Sequence, residues 1–248
     1  MTVFEIAAAA RDSPLTLLLD YDGTLVPIAA KPELATPDDE LLQLLASLAR
    51  RAQTDLHLVS GRRRRTMDRW FGDLHVSLWA EHGFWYRNGP ASRWEAAAEI
   101  PATSLERINP LFEAAEASAP GSFLERKSAS IAWHYRLVDP AIADAEANKL
   151  RTELAGAVEN TRLSVLEGKK VIEVKLRQVN KSLVAKRLAQ RLEPGRLMIA
   201  IGDDHTDEDL FCALPLSSVT ISVGRSASCA RYQLASHVEV RQILRSLL

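Results

Sequence analysis

The chain has 248 residues, of which 47% are hydrophobic and 25% are charged. This length and composition allow a large buried core and exclude an intrinsically disordered chain. Its 31 lysine and arginine residues nearly balance 32 aspartate and glutamate residues, for a formal net charge of -1, so no global field draws the chain toward nucleic acid or an anionic membrane.

The sequence indicates neither a sorting signal nor a disulfide framework. Residues 1–10, MTVFEIAAAA, carry an acidic residue where a signal peptide would carry basic ones. No apolar run approaches the roughly 18 residues of a membrane span. Cys212 and Cys229 fit no zinc-site spacing, and we expect both to be inert. We expect a cytoplasmic monomer that binds neither membranes nor nucleic acid.

The first third of the chain alternates between short apolar runs and an amphipathic helix. Leu15 to Leu19 predicts a strand buried on both faces, and Asp55 to Val59 and Val76 to Ala80 predict two more. A helix is predicted up to Arg51, with a cap at Thr36 and Pro37 at its first position. The order strand, helix, strand indicates a parallel sheet.

The middle third has a different pattern. Residues 101–119 and 141–157 are predicted to be helical, and residues 123–136 alternate between apolar and polar side chains, as in a strand. Residues 162–166 and 170–176 predict a hairpin that turns at the Glu-Gly pair between them. This third of the chain is therefore predicted to be a separate α+β layer.

From Asn180 onward, helices and strands alternate again. A helix is predicted from Asn180 to Glu193, followed by strands at Leu197 to Ile201 and Val219 to Val223. A short helix lies between these strands, and a last helix runs to Leu248. This order resembles the first third and indicates that both segments contribute to one sheet.

The predicted fold class is α/β, with a doubly wound, mostly parallel sheet of the Rossmann-like kind. Residues 1–95 and 177–248 are predicted to form the core domain. Residues 96–176 are predicted to form an inserted α+β domain.

Four polar segments follow predicted strands or open a predicted helix in this core: residues 20–24, 60–62, 180–181 and 202–207. Open parallel sheets bind ligands at the carboxyl ends of their strands. Several carboxylates at one edge repel each other unless a cation compensates, and oxygen ligands without histidine or cysteine favour Mg²⁺. Lys181 and the backbone N–H groups after Ser60 could bind phosphate oxygens. The sequence therefore predicts a magnesium-dependent phosphoryl site.

Asp20 and Asp22 are suited to phosphoryl transfer because one residue separates them on a loop. One carboxylate can face the phosphorus as nucleophile, while the other protonates the leaving oxygen and later activates water. A pair of aspartates alone is more often a turn or a helix cap. The four segments in order favour an enzyme.

The ordered set DYDGT, Ser60, Lys181 and GDDHTD resembles the four signature motifs of the haloacid-dehalogenase-like phosphotransferases. Further segments resemble one branch of that superfamily, the trehalose-6-phosphate phosphatases. These segments are SGR at 60–62, EHG at 81–83, ERK and WHYR within 125–136, GKKVIEV at 168–174, VNK at 179–181 and GDDHTDEDLF at 202–211. The resemblance covers nearly the whole chain. One departure is Ser182, where the family commonly has glycine; a serine can cap a helix.

The resemblance implies hydrolysis of trehalose 6-phosphate in trehalose biosynthesis, through an aspartyl-phosphate intermediate and with Mg²⁺. The implied catalytic residues are Asp20 as nucleophile, Asp22 as acid and base, Ser60 and Lys181. The implied metal ligands are Asp20, the Asp22 carbonyl and Asp203, supported by Thr24, Asp204 and Asp207. The implied substrate-binding residues are Gly61, Arg62, Glu125, Lys127, Arg136, Lys169, Glu173 and Asn180. In that family the inserted domain is a cap over the sugar.

Part of this assignment is open. In the alternation of residues 123–136, Glu125 and Lys127 lie opposite Arg136, so a bend or bulge is expected between them. A phosphatase for another sugar or glycoside phosphate is an alternative, and a sugar-phosphate binding protein without turnover is a second. A nucleic-acid module, suggested by the arginines at 62–65, is the weakest because such runs are usually solvated.

Overall fold

The computed structural model describes residues 2–29, 31–97, 99, 105–225 and 227–248. Residues 101–104 of the helix predicted over 101–119 lie outside this description. The chain divides into two compact units. Unit 1 comprises Met1–Ala97 and Asn180–Leu248, and unit 2 comprises Ala98–Val179. The boundaries expected from the sequence fall after residues 95 and 176.

The described residues form twelve strands and eight α-helices. The strands are β1 (Leu15–Leu19), β2 (Thr54–Val59), β3 (Ser77–Ala80), β4 (Trp85–Asn88), β5 (Glu95–Ala96), β6 (Phe123–Arg126), β7 (Ser130–His134), β8 (Leu163–Gly168), β9 (Val171–Leu176), β10 (Leu197–Gly202), β11 (Val219–Val223) and β12 (Tyr232–Leu234). The helices are α1 (Val3–Ala10), α2 (Asp39–Arg50), α3 (Arg64–Phe71), α4 (Asn109–Ser118), α5 (Pro140–Val158), α6 (Ser182–Ala189), α7 (His205–Ala213) and α8 (His237–Ser246). Short 3₁₀ helices lie at Pro32–Leu34 and Glu81–Gly83.

Unit 1 contains an eight-stranded sheet in the order β12-β11-β10-β1-β2-β3-β4-β5. The pairs from β12 to β3 are parallel. Strands β4 and β5 add an antiparallel edge. The predicted α/β class with a mostly parallel sheet is confirmed.

β1 lies within the sheet, and its residues are all buried. Leu17 and Leu19 pack in a hydrophobic cluster with residues of α1, α2, α3 and α8. Leu18 packs in a second cluster with residues of α6 and α7. Successive side chains of a strand point to opposite faces, so this apolar run serves two helical layers, as a doubly wound sheet requires.

Helix α2 begins two residues later than predicted. Its N-cap is Asp38, whose carboxylate accepts a hydrogen bond from Leu41 N at 2.7 Å. The predicted cap at Thr36, with Pro37 as the first helical residue, is therefore wrong. The other oxygen of Asp38 accepts from Arg241 of α8 at 2.8 Å, and this contact across the fold fixes Asp38 at the cap.

Helix α1 is not among the elements predicted above, although the sequence contains a local signal for it. Thr2 Oγ1 accepts from Glu5 N at 3.2 Å, and Glu5 Oε2 accepts from Thr2 N at 2.7 Å. This reciprocal pair is a capping box. The helix buries Ile6 and Ala10 against the core of unit 1.

Unit 2 contains an antiparallel sheet in the order β6-β7-β9-β8. Helix α4 packs on β6 and β7, and α5 packs on β8. The prediction of one alternating strand over residues 123–136 is wrong, because β6 and β7 form a hairpin in which Lys127 N donates to Ser130 O at 2.9 Å. The expected bend is therefore a full reversal of the chain.

The second hairpin of unit 2 turns later than predicted. Glu167 pairs with Ile172, and Gly168 pairs with Val171. The turn is thus at Lys169 and Lys170, not at the Glu-Gly pair, and Lys170 adopts the left-handed φ of 62°. No helix among the described residues is long and apolar enough to cross a membrane.

Candidate functional site

The ends of three neighbouring parallel strands bring the predicted site residues together in unit 1. Asp20 follows β1, Ser60 follows β2 and Asp203 follows β10. β1 pairs with both other strands, and Asp20 N donates to Ile201 O at 3.0 Å. Because parallel strands end at the same edge, polar residues distant in sequence meet there.

Lys181 is the cation at the centre of this edge. Its Nζ lies 2.6 Å from Asp20 Oδ1 and 2.7 Å from Asp207 Oδ1. Lys181 is 1% exposed, Asp20 is 5% exposed and Asp207 is fully buried. A buried ammonium between two carboxylates stabilises both of them where they lie, because without Lys181 each buried carboxylate would lack a compensating charge.

Three carboxylates lie close together in this cluster. Asp20, Asp203 and Asp207 each offer an oxygen within 4.8 Å of the others. When all three carboxylates are ionised, Lys181 compensates only one of them, and the cluster has an excess of two negative charges. Burial raises the pKa of Asp20, and the charges of Asp207 and Asp203 raise it further against the opposing effect of Lys181. Burial alone would lower the pKa of Lys181, but Asp20 and Asp207 raise it overall.

The donor set of the cluster fits a hard divalent cation. All three acidic groups offer oxygen, which Mg²⁺ and Ca²⁺ prefer over nitrogen or sulfur. A dication would also offset the excess of two negative charges in this buried place. The structure therefore contains a group of side chains that can hold a metal ion.

Gly23 makes room for Asp203. Its φ is +85°, in the left-handed region that favours glycine, and a Cβ at this position would lie 2.1 Å from Asp203 Oδ2. Thr24 Oγ1, from the same loop, donates to Asp203 Oδ1 at 3.4 Å. The loop after β1 thus contributes Asp20 and also holds Asp203 in place.

Asp22 is held by Arg62. Arg62 Nε lies 2.8 Å from Asp22 Oδ2, and Nη2 lies 2.5 Å from Oδ1, so both carboxylate oxygens are engaged. Arg62 also donates to Pro32 O at 2.5 Å and lies over the Trp70 ring at 5.0 Å. The resemblance implies that Arg62 binds substrate, whereas its guanidinium in this structure binds Asp22.

The turn after β2 is fixed by residues that follow β3. Glu81 and His82 adopt φ values of 53° and 60°, which are uncommon for residues other than glycine. His82 N donates to Ser60 O at 3.0 Å, and Glu81 N donates to Arg62 O at 2.9 Å. A Cβ on Gly61 would lie 2.7 Å from the His82 ring. This packing holds the backbone next to the buried Ser60 hydroxyl.

Asp204 and Asp207 have structural roles at the start of α7. Asp204 is the N-cap, and its Oδ1 accepts from His205 N at 2.5 Å. Asp207 Oδ2 accepts from Asp204 N at 3.0 Å, which completes a capping box. Both oxygens of Asp207 are thus hydrogen-bonded, one to Lys181 and one to the backbone.

Asn180 and Ser182 flank Lys181 and interact with each other. Asn180 Oδ1 accepts from Ser182 N at 3.0 Å and from Ser182 Oγ at 2.5 Å. The N-cap of α6 is Lys181, which makes no side-chain capping bond. Ser182, at the departure from the family pattern, is therefore not the cap; Asn180 supplies the acceptor instead.

In unit 2, three of the predicted substrate-binding residues converge on one side of the sheet. Lys127 Nζ lies 3.1 Å from Glu173 Oε1 and 3.9 Å from Glu125 Oε2. Glu125 pairs with Ala132, and Ala132 pairs with Glu173, so the two glutamates lie in one row across β6, β7 and β9. His134 Nε2 lies 3.1 Å from Glu125 Oε2. The hairpin turn makes this convergence possible.

Arg136 and Lys169 lie apart from that row. Arg136 follows β7, and its Nη2 donates to Lys169 O at 2.8 Å. Lys169 lies in the turn between β8 and β9. The contact joins the chain after β7 to that turn within unit 2.

Sequence reasoning missed two features of the core site. It gave Asp207 a supporting place beside the metal ligands and did not predict that Asp207 binds Lys181 directly. The spacing of Asp204 and Asp207 is that of a capping box and could have indicated a buried Asp207. It also did not predict that Glu81 and His82 fix the turn at Ser60, because a left-handed backbone is uncommon for residues other than glycine.

Comparison with known proteins gives one consistent family. A family model described as trehalose-phosphatase matches residues 18–238. A bifunctional trehalose-6-phosphate synthase/phosphatase of Thermoproteus tenax is 40% identical over 231 residues, covering 93% of this chain and 31% of its own length. A trehalose-phosphatase of Saccharomyces cerevisiae is 33% identical over 215 residues, covering 78% of this chain and 24% of its own length. The chain thus spans less than a third of these curated relatives.

A solved structure agrees in fold over nearly the whole chain. The C-terminal domain of trehalose-6-phosphate phosphatase from C. albicans superposes with a TM-score of 0.90 at 28% identity. The match covers 98% of this chain and 96% of that domain. The similarity therefore extends over both units.

Proposed function

This chain belongs to the trehalose-phosphatase family, as its sequence predicted, and on that premise we propose that it hydrolyses trehalose 6-phosphate to trehalose and inorganic phosphate. The observation that carries the proposal is the buried cluster in which Lys181 binds Asp20 and Asp207 beside Asp203. Such a cluster is costly without a function, because buried carboxylates repel each other. The proposal covers phosphatase activity only, since the chain spans 31% of its bifunctional relative.

Asp20 is the proposed nucleophile of the first step. Lys181 engages Oδ1 of Asp20, which leaves Oδ2 to attack the phosphorus. A bond forms between Asp20 and phosphorus while the bond from phosphorus to the sugar oxygen breaks, and an aspartyl-phosphate results. Lys181 and Ser60 would hold the phosphoryl oxygens during this step.

Asp22 is the proposed acid and base. It would protonate the departing sugar oxygen and then accept a proton from the water that hydrolyses the aspartyl-phosphate. Arg62 binds both oxygens of the Asp22 carboxylate in this structure. Asp22 must therefore leave part of this pairing before it can donate a proton to the sugar.

Mg²⁺ is the proposed cofactor. The carboxylates of Asp20 and Asp203, with the backbone carbonyl of Asp22, would hold it. Both oxygens of Asp207 already accept hydrogen bonds, so Asp207 would support the ligands rather than join them. When bound, Mg²⁺ would offset the negative charge of the phosphoryl oxygens.

Unit 2 is the proposed sugar-recognition domain. Glu125, Lys127 and Glu173 form a charged row on its sheet, and carboxylate and ammonium groups are suitable partners for sugar hydroxyls. Arg136, Lys169 and Asn180 are carried over from the family resemblance as further contacts. A cytoplasmic location, a monomeric state and the absence of nucleic-acid binding stay predictions.

Phosphate release tests the proposal directly. Trehalose 6-phosphate and glucose 6-phosphate are supplied with Mg²⁺, with a chelator, and with Mg²⁺ restored. We expect release from trehalose 6-phosphate only when Mg²⁺ is present. Preference for glucose 6-phosphate would favour the alternative of another sugar-phosphate phosphatase. Binding of trehalose 6-phosphate without any release would favour a non-catalytic binding protein.

A further inference from the structure

Cys212 and Cys229 lie against each other in unit 1, with their Sγ atoms 2.6 Å apart. They are the two cysteines of the chain, and both are free and exposed. Cys212 lies near the end of α7, and Cys229 lies between β11 and β12. The proposed phosphatase mechanism uses neither thiol, so their contact needs a separate explanation.

We propose that Cys212 and Cys229 form a dithiol oxidation site, which closes reversibly to an intramolecular disulfide and ties α7 to the segment between β11 and β12. The proposal replaces the expectation from the sequence that both cysteines are inert. It does not depend on the identity of the phosphatase substrate.

Hydrogen bonds around Cys229 also hold the two thiols next to each other. Cys229 N donates to Glu208 Oε2 at 2.8 Å. Glu208 lies four residues before Cys212, so both side chains lie on the same face of α7. Cys229 Sγ lies 3.8 Å from Glu208 O, and Arg231 N donates to Thr220 Oγ1 at 3.0 Å. The backbone around Cys229 is therefore attached both to α7 and to β11.

Exposure makes the pair available to a small oxidant of the disulfide class, such as glutathione disulfide. Although Cys229 is exposed as a residue, partial desolvation of its sulfur and its contacts to Cys212 and Glu208 raise the pKa of Cys229 to about 12. Since the thiolate is the nucleophile in such exchange, the raised pKa disfavours Cys229 as the attacking thiol. Cys229 is then the resolving thiol.

The reaction proceeds in two exchanges. The Cys212 thiolate attacks one sulfur of glutathione disulfide, forms a mixed disulfide and releases one glutathione thiolate. Cys229 then loses its proton as its sulfur attacks Cys212 Sγ, and the second glutathione leaves as a thiolate. The two protein thiols are oxidised by two electrons, glutathione disulfide is reduced to two glutathione molecules, and the two protons end on them.

Closure should stabilise unit 1 without changing its chemistry. The bond would close a loop between residues 17 positions apart, which reduces the conformational freedom of the unfolded chain. We expect Tm to rise by roughly 5 °C or more. Because the thiols already touch, α7 need not move far, and we expect phosphatase activity to stay within about twofold of the reduced form.

Intact-mass measurement of the full chain in glutathione buffers tests the proposal. As the fraction of glutathione disulfide rises, we expect a species lighter by two hydrogen atoms, which dithiothreitol converts back. Peptide mapping should join the peptides that contain Cys212 and Cys229. The Cys212→Ser and Cys229→Ser variants are the matched controls, and each should accumulate a single glutathione adduct because no second thiol resolves it.

Two outcomes would overturn the proposal. Wild-type protein that carries two stable glutathione adducts would show that the thiols do not resolve each other. Wild-type protein that keeps two alkylatable thiols at every glutathione ratio would show that the site is not oxidised. The double variant Cys212→Ser/Cys229→Ser cannot form the disulfide. A difference between its Tm and that of the reduced wild type therefore measures the effect of the substitutions alone.

Discussion

Lys181 Nζ lies 2.6 Å from Asp20 Oδ1, and this contact joins residues 161 positions apart in the sequence. The same ammonium lies 2.7 Å from Asp207 Oδ1. One lysine thus binds the carboxylate after β1 and a carboxylate in the first turn of α7. The proposed nucleophile is held by the fold before substrate arrives, which is the preorganisation that catalysis requires.

Asp20→Asn should lower phosphate release from trehalose 6-phosphate by at least about a thousandfold, because an amide cannot form the aspartyl-phosphate. The free energy of unfolding should not fall, since the change removes one of three mutually repelling buried carboxylates. Release is measured with Mg²⁺, and stability is measured by urea unfolding. Asp55→Asn, at an exposed carboxylate of β2, is the matched control. Activity close to wild type in Asp20→Asn would remove the nucleophile assignment.

Lys181→Met should abolish activity and lower the free energy of unfolding by about 3 kcal/mol, because two buried carboxylates lose their partner. Urea unfolding and phosphate release give the two readouts. Lys186→Met changes an exposed lysine of the same helix and should change neither. Unchanged stability in Lys181→Met would mean that the ion pair contributes little to the fold.

Gly23→Ala should lower the free energy of unfolding by at least about 1 kcal/mol and impair activity. The new Cβ would meet Asp203 Oδ2 at 2.1 Å and the backbone would keep a φ of +85°. Gly156→Ala is the control, since a Cβ at that helical position meets nothing within 4 Å. It should stabilise the chain by about 0.5 to 1 kcal/mol. Similar stabilities for the two variants would contradict the close approach at Gly23.

His57→Gln should reduce the sensitivity of the fold to acid. Burial lowers the pKa of His57 from 6.5 to about 4, and its Nδ1 accepts from Trp79 Nε1 at 3.2 Å. The unfolded chain therefore binds a proton below pH 6.5, while the folded chain does so only near pH 4. Stability conferred by neutral His57 is complete above pH 6.5 and falls by about 3 kcal/mol as the pH drops toward 4.

Urea unfolding of the wild type and His57→Gln between pH 7 and 4.5 checks this difference. His75→Gln, at an exposed histidine, is the matched control and should follow the wild-type curve. Parallel curves for the wild type and His57→Gln would exclude His57 as a source of the acid sensitivity.

Lys127→Met should raise KM for trehalose 6-phosphate by about tenfold or more, which corresponds to one charge-assisted hydrogen bond. The charged row of Glu125, Lys127 and Glu173 would lose its cation. Arg126→Met changes a half-exposed neighbour and should leave KM unchanged. An unaltered KM in Lys127→Met would exclude Lys127 from sugar recognition.

Much of the fold could be predicted from local pattern. The apolar run at β1 predicts a strand buried on both faces, because side chains of a strand alternate between faces. The order of strands and helices predicts a parallel sheet and therefore places Asp20, Ser60 and Asp203 at one edge. The local capping box of Thr2 and Glu5 was available as well, and reading it would have predicted α1.

The pattern of apolar and polar residues did not predict the correct structure where two structures would produce the same pattern. The alternation through residues 123–136 fits one long strand as well as two strands of a hairpin. The pairing of Glu125 with Ala132 decides between them, and pairing depends on backbone hydrogen bonds between separate segments. The turn at Lys169 and Lys170 is decided in the same way.

The sequence by itself determined which chemical groups the protein has and which predicted strand each of them follows. Both can be read locally, because apolar periodicity and the order of elements are properties of the chain itself. Only the tertiary structure decided that Lys181 binds Asp207, that Arg62 binds Asp22 and that Cys212 meets Cys229. Contacts of this kind depend on distances of a few ångströms between side chains far apart in the chain. Such distances are set by how whole strands and helices pack, and no local pattern of residues encodes them.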